Sequence, residues 1–444
     1  MKKNIIIIIT ICLSFYSFSQ ETSQSFSLQE AINYALENNR KAINAARDID
    51  AAKAQKRETT ATGLPQLNAE LGYNNWLKQQ VIIFDIDNDG NLDAIPNGAK
   101  QSITGTATLS QKLFDGTYLV GLQSAKVFLE ISKNAKVKTD LEVRKAVIEA
   151  YGNVLLAKES ILILERNIEV LEKNLYETNK IFENGLEEEE SVEQLQITLS
   201  GVKSNLNNTN RLKTLAFQML NITLGLEIYS KTTLTDDLEN LSSQNMNLSL
   251  LDSKDNVEHT IDYLIAENDK TSKELLLKLE KSKALPTLNA FINGAYSGNS
   301  NKFTFTHNDQ KWFGSSLFGV NMNIPIFSSG MRSAATQRAA INLEKSIEDL
   351  TEVEQQLKFK IASAKSDYKF AIEDYGNKKD NLNLAERIEQ KNQVKFFEGI
   401  ASSFDLRQAQ TQLYTSQQEY LQAMLDVINK KAELETVLNE IQNN

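Results

Sequence analysis

Only four prolines interrupt this chain of 444 residues, and their placement divides it. Pro65 and Pro96 form one cluster, Pro286 and Pro325 a second, and long proline-free segments lie between and after them. Proline disrupts a helix interior because it lacks an N–H and its ring meets the preceding turn. The intervening segments, rich in Ala, Glu, Lys and Leu, are free to form very long helices. The chain reads helix, strand pair, long helices, and then the same again.

The repetition is visible residue by residue. Leu64-Pro65-Gln66-Leu67-Asn68-Ala69 matches Leu285-Pro286-Thr287-Leu288-Asn289-Ala290. Leu113-Phe114-Asp115-Gly116 matches Ile326-Phe327-Ser328-Ser329-Gly330, and Phe182-Glu183-Asn184-Gly185 matches Phe396-Phe397-Glu398-Gly399. Downstream, Gln194 and Leu199 correspond to Gln408 and Leu413. Agreement in the same order at several places indicates a duplication. It predicts a first repeat over residues 20–226, a linker over 227–249 and a second repeat over 250–444.

Residues 1–19 read as a secretory signal peptide: Lys2 and Lys3, an apolar run from Ile5 to Leu13, then Ser17-Phe18-Ser19. The only cysteine, Cys12, falls inside it, so the mature chain is expected to lack disulfides, thiolate metal sites and cysteine nucleophiles. The net charge of −10 argues against nucleic acid as a partner. No later stretch is apolar enough for a transmembrane helix, so membrane entry would require a closed barrel. His259 and His307 are isolated, and no phosphate loop, zinc motif or nucleophile elbow occurs; an enzyme is not expected.

From Val143 to Phe182 the apolar positions follow a heptad. One series is Val147, Val154, Ile161, Ile168, Leu175 and Phe182; the other is Val143, Ala150, Ala157, Leu164 and Leu171, with Thr178 as the polar exception. Ile361, Ala364, Tyr368, Ala371, Tyr375, Leu382 and Ala385 form the equivalent seam, which weakens at Glu389 and Asn392. Such seams belong to helices packed side by side. A helix from about Gly116 to Phe182 would be on the order of 100 Å long.

Four segments alternate instead: Leu67 to Tyr73, Ile103 to Leu109, Leu288 to Tyr296, and Phe318 to Ile326. Runs of this length, apolar on one face, suit transmembrane barrel strands. Trp76 and Trp312, with Tyr73 and Tyr296, stand near their ends, as aromatics do at headgroup level. A soluble sheet packed on helices is the alternative. Four strands cannot close a pore, so the barrel reading needs several copies; three would supply twelve strands.

Between the first two strands, Asp85, Asp87, Asp89, Asn91 and Asp93 place oxygen ligands at alternate positions, with Gly90 for a bend. This resembles the start of a calcium loop, although Pro96 occupies the place of the closing glutamate. An acidic surface turn explains the same residues.

In their order and duplication these motifs resemble the TolC family of outer-membrane efflux proteins, across essentially the whole mature chain. The resemblance implies an α+β membrane protein with a trimeric 12-stranded transmembrane β-barrel continued by a 12-helix periplasmic α-barrel. It implies a passive exit duct of a tripartite efflux or type I secretion system. The partners would be outer-membrane lipid, a periplasmic adaptor and an inner-membrane RND or ABC transporter. Adaptor docking would fall on the helix tips, at Gly185, Glu187, Glu188, Glu189 and Glu190 and at Gly399 and Ile400; a solvated turn is the plainer reading of the four glutamates. Relatives carry an Asp-x-x-Asp pair after the second tip. Here Asp405 keeps the first position and Gln408 replaces the second. The relatives' gate-locking aspartate, tyrosine and arginine correspond to Ser191, Phe396 and Ala401, so the gate must differ. The rival is a soluble periplasmic coiled-coil or adaptor-like protein.

Overall fold

The computed structural model describes residues 24–84, 93–253 and 256–439. The expected signal segment, and Asp85, Asp87, Asp89 and Asn91 of the acidic loop, lie outside the described residues. The elements run β1 (Gln24–Phe26), α1 (Leu28–Asn38), α2 (Arg40–Ala61), β2 (Gln66–Asn75), β3 (Val81–Phe84), β4 (Asp93–Pro96), β5 (Gln101–Phe114), α3 (Gly116–Glu183) and α4 (Glu189–Leu224). They continue with β6 (Thr232–Leu234), α5 (Leu238–Gln244), α6 (Ile261–Ser282), β7 (Thr287–Ser300), β8 (Trp312–Asn323), α7 (Met331–Phe397) and α8 (Ser403–Leu438).

The duplication reappears in helix length. α3 and α7 have 68 and 67 residues, and α4 and α8 have 36 each. The helix ends show why. Asp115 Oδ1 accepts from the Thr117 and Tyr118 amides at 2.9 and 3.3 Å and from the Thr117 hydroxyl, satisfying donors that the first turn of α3 leaves open. At the far ends, Gly185 and Gly399 adopt φ of 73° and 72°. Each closes the same pair of bonds, Gly185 N to Phe182 O with Leu186 N to Ile181 O, and Gly399 N to Phe396 O with Ile400 N to Lys395 O. Left-handed glycine with this double bond is a Schellman stop.

The chain divides into two compact units, one of Met1–Asp48, Asn134–Ile265 and Glu352–Asn444, the other of Ile49–Lys133 and Ala266–Thr351. Each draws on both repeats. In the second unit, β2-β5-β7-β8 make one antiparallel sheet. The central β5–β7 ladder joins the two repeats, pairing Gly105 with Tyr296 and Leu109 with Ile292.

One strand departs from its expected position. Alternation from Phe318 to Ile326 predicts a strand through Pro325, but β8 begins at Trp312 and stops at Asn323. Its partner β7 begins only at Thr287, opposite Asn323, so Ile324 and Ile326 have nothing to pair with. The Arg332 guanidinium instead binds the Pro325 and Ile326 carbonyls at 2.8 and 3.2 Å.

The helical unit has an apolar core that includes Ile32, Val147, Val154, Leu220, Ile361 and Val427. Two seam tyrosines are wholly buried and bonded: Tyr151 Oη lies 2.8 Å from Asp236 and 2.9 Å from the Phe26 carbonyl, and Tyr368 donates to the Asn245 carbonyl at 2.5 Å. β1 pairs in parallel with β6, Gln24 opposite Thr232.

Inside this core lies a charged triad. Arg144 Nη2 is 2.9 Å from Glu435, and Lys431 Nζ is 3.7 Å from the other Glu435 oxygen. Lys431 and Glu435 are 2% and 3% exposed, and burial pushes the Lys431 ammonium below the usual lysine range. Removing the counter-charge that buried cations share, Glu435 among the described residues, is costly, because they have lost water as well. Glu435→Gln is expected to lower stability by about 3–5 kcal/mol in urea unfolding of the solubilised protein. A loss below about 1 kcal/mol would mean that the triad is not dry.

Candidate functional site

The sheet's register sorts its residues into two faces. Opposed residues share a face, so one side carries the rows Leu67-Leu109-Ile292-Phe318, Ala69-Ala107-Gly294-Ser316, Leu71-Gly105-Tyr296-Gly314 and Tyr73-Ile103-Gly298-Trp312. The other side carries Asn68-Thr108-Asn293-Leu317, Glu70-Thr106-Ala295-Ser315 and Gly72-Thr104-Ser297-Phe313. The Asn293 amide donates across strands to the Thr108 hydroxyl at 2.9 Å on this polar side. Phe291, Phe313 and Leu317 are its apolar exceptions.

The apolar side is not covered. Leu71 is 78% exposed, and Leu67, Ile292, Phe318, Val320 and Met322 are also exposed. A soluble sheet packed on its own helices would bury this side, so the exposure does not favour that alternative. At about 25 cal/mol per Å2, large apolar side chains standing in water across four strands are a heavy penalty. They are at no penalty in hydrocarbon.

Three of the four expected interface aromatics are brought together. Tyr296 and Trp312 stack with centroids 5.8 Å apart and planes 5° from parallel. Gly298 gives the indole room: a Cβ there would stand 3.1 Å from Trp312 Cε3. Phe303 and Phe305, from the β7–β8 loop, meet Tyr73 edge-on at 6.2 Å each, and Phe305 reaches Trp312 at 6.3 Å. Sequence alternation missed both phenylalanines because they lie outside any strand; the Phe-Thr-Phe run shortly before Trp312 was the available signal. Trp76 stays apart, exposed just beyond β2, its amide bonded to the Lys100 carbonyl at 2.9 Å. β3 and β4 form a hairpin that pairs Val81 with Pro96. Asp93 opens β4, and proline at the closing position of the acidic loop supplies no carboxylate.

The tip residues lie in the helical unit. Leu186 and Ile400, each following a tip glycine, are 79% and 70% exposed. Of the four glutamates, Glu187 accepts from Ser191 Oγ at 2.6 Å and Glu190 from Gln194 at 2.7 Å. Glu188 and Glu189 make no side-chain bond among the described residues, and Glu189 and Glu190 favour the positive end of α4. Ser191 and Phe396, expected at the gate, are buried, the Phe396 ring against Phe397 at 5.3 Å. Asp405 is exposed but occupied. Its carboxylate accepts from the Ser402 amide at 3.0 Å and hydroxyl at 2.6 Å, and the hydroxyl bond holds it below the usual carboxylate range. This capping box was legible as Ser402-x-x-Asp405. Gln408, one turn on, is exposed.

Between the tips and the apolar core, the seam turns polar. Asn174, Thr178 and Gln410 are buried, and Gln393 donates to Asn174 at 2.9 Å. The Thr178 hydroxyl is buried without a hydrogen-bond partner among the described residues, and Gln410 is buried beside Glu389. Unsatisfied buried polar atoms weaken a seam locally. Burial also pushes the Glu389 carboxyl above its ordinary value and, together with Glu389, raises the Tyr414 phenol.

An exposed apolar sheet face with an aromatic border, in a chain with duplicated helical hairpins, is the pattern of an outer-membrane channel-type protein. The residue pattern of the outer membrane efflux proteins matches positions 31–226 and 274–440, and the chain belongs to that family. It is 22% identical over 325 residues to outer membrane protein TolC of Vibrio cholerae, 73% of this chain and 70% of that one. Its fold is similar to the solved structure of CusC, with a TM-score of 0.75 at 18% identity over 96% of this chain and 95% of the other. It is also similar to the open-state MtrE outer membrane channel of Neisseria gonorrhoeae, with a TM-score of 0.71 at 17% identity over 93% and 89%. As a member of this family the chain is an outer-membrane protein.

The Glu389 shift has a sign. The folded state holds this proton more tightly than the unfolded chain, so the site's stability is full below the ordinary value of 4.5 and is lost as pH rises through the raised value. Thermal melts should show Glu389→Gln gaining on the wild type as pH rises across that window. A pH-independent difference would contradict a half-buried, proton-holding Glu389.

Proposed function

We propose that three copies close their sheets into one twelve-stranded barrel and serve as a passive exit duct across the outer membrane. The observation that carries this reading is the sheet: four antiparallel strands, one uncovered apolar face, one polar face and two free edges, β2 and β8. Because the strands alternate in direction, β8 of one copy runs antiparallel to β2 of the next, and three copies complete an even-numbered ring. In lipid an open edge leaves backbone N–H and C=O groups without partners, so closure is required. The apolar face then meets lipid, the aromatics around Trp312 stand at headgroup level, and the polar face lines the passage.

The helices would stand in the periplasm, with an adaptor docked at Leu186, Glu188, Glu189 and Ile400 and an inner-membrane RND or ABC pump delivering substrate. The route would serve efflux or type I secretion, with no catalytic step. Asp405 would add charge at the entrance while capping α8, so Asp405→Asn, which keeps an acceptor oxygen, isolates its charge better than Asp405→Ala. The weak polar seam near Gln410 is where the helices would part most easily.

Single cysteines at Asn308, in the exposed β7–β8 loop, and at Glu188, at a helix tip, test this orientation in intact cells with a membrane-impermeant maleimide. Asn308→Cys should label and Glu188→Cys should label only after lysis. If both stay unlabelled until lysis, the sheet does not cross the outer membrane and a soluble periplasmic coiled-coil protein is the better reading.

A further inference from the structure

The polar face of the sheet is built almost wholly from hydroxyls, amides and small residues. On β2 it presents Gln66, Asn68, Glu70, Gly72 and Asn74; on β5, Ser102, Thr104, Thr106, Thr108, Ser110 and Lys112. The facing positions of β7 and β8 carry no charged residue. Two charges therefore stand on this face, and they differ in their surroundings. Lys112, near the end of β5, has Asp115 at 3.6 Å and lies 5.6 Å from the Tyr118 ring, so its charge is offset locally. Glu70 sits at mid-strand, exposed, with no ion pair or side-chain hydrogen bond among the described residues.

The row that Glu70 occupies continues through Thr106, Ala295 and Ser315. None of these is long enough to shield a carboxylate or to fill the space beside it. Asp405 contrasts with it: that carboxylate is engaged by two Ser402 bonds, whereas Glu70 makes no side-chain bond among the described residues.

We propose that Glu70 is the charge-selecting residue of the duct, favouring cations and cationic solutes over anions at mid-height of the barrel. The inference rests on the trimeric reading above, which turns one uncompensated carboxylate into a ring of three on the lumen wall. Rings of acidic side chains concentrate cations in a pore. Three charges roughly 10 Å from the axis, in water and partly screened, change the local cation-to-anion balance by about two- to eightfold. The effect is strongest in dilute salt, where screening extends over about 30 Å at 0.01 M against about 10 Å at 0.1 M.

The test is the reversal potential of the full-length protein in planar lipid bilayers under a KCl gradient. The wild type should prefer K+ more strongly as the salt is diluted. Glu70→Gln should lower the cation-to-anion permeability ratio by about two- to eightfold, and Glu70→Lys should shift it further toward anions. A double variant, Glu70→Thr with Thr106→Glu, moves the carboxylate to the opposed position on the same face and should keep the wild-type ratio, which a merely structural role for Glu70 would not produce. Asp405→Asn, in the helical unit, serves as the comparison. If the Glu70 variants conduct with the wild-type ratio, or if Asp405→Asn alone abolishes the preference, the ring is overturned and the duct stands. If the wild type forms no conducting channel, the duct reading falls and the ring with it.

Discussion

The backbone hydrogen bonds at the two edges of the sheet govern the rest of this structure. A four-stranded antiparallel sheet leaves β2 and β8 each with one unpaired row of N–H and C=O groups. Water satisfies such edges, and soluble proteins blunt them with charge, proline or bulges. Here the sheet's apolar face is exposed as well, so the same strands that need polar partners at their edges need an apolar medium on one side. A closed barrel in lipid meets both demands at once. The duplication makes closure economical in design: each repeat contributes one hairpin, β5–β7 joins them, and the remaining edges are of opposite direction.

The helical unit distributes its polar groups unevenly. In the apolar core, Tyr151 and Tyr368 find carbonyl and carboxylate partners, and Arg144, Lys431 and Glu435 form a charged triad. Toward the tips the seam instead holds Asn174, Thr178, Gln410 and half-buried Glu389, and the Thr178 hydroxyl has no partner among the described residues. Fully partnered polar groups fix one arrangement, and under-partnered ones are the first to give way.

Much of this could be read from the chain. The first long helix was legible to within a residue or two, from about Gly116 to Phe182, and the glycines at 185 and 399 marked the reversals after two of the helices, a signal that does not depend on distant contacts. The sheet's two faces were legible from alternation. What escaped depended on partners. The strand expected through Ile326 failed because β7 runs out at Thr287, which no property of residues 318–326 reveals. Three-residue β1 and β6 are too short to show a period, and Phe303 and Phe305 act from a loop. Asp405 was read as a ring position by resemblance, whereas its spacing from Ser402 was the signal for a cap that the reading passed over; the capping bonds are present within one chain, whereas a ring requires three.

That requirement makes copy number the most direct test of the account. Native mass spectrometry of the detergent-extracted protein should show three chains per particle, persisting when the concentration is lowered. A particle of one chain would leave both sheet edges open, and one of two chains would supply only eight strands; either result would contradict a barrel closed by β8 of each copy on β2 of the next.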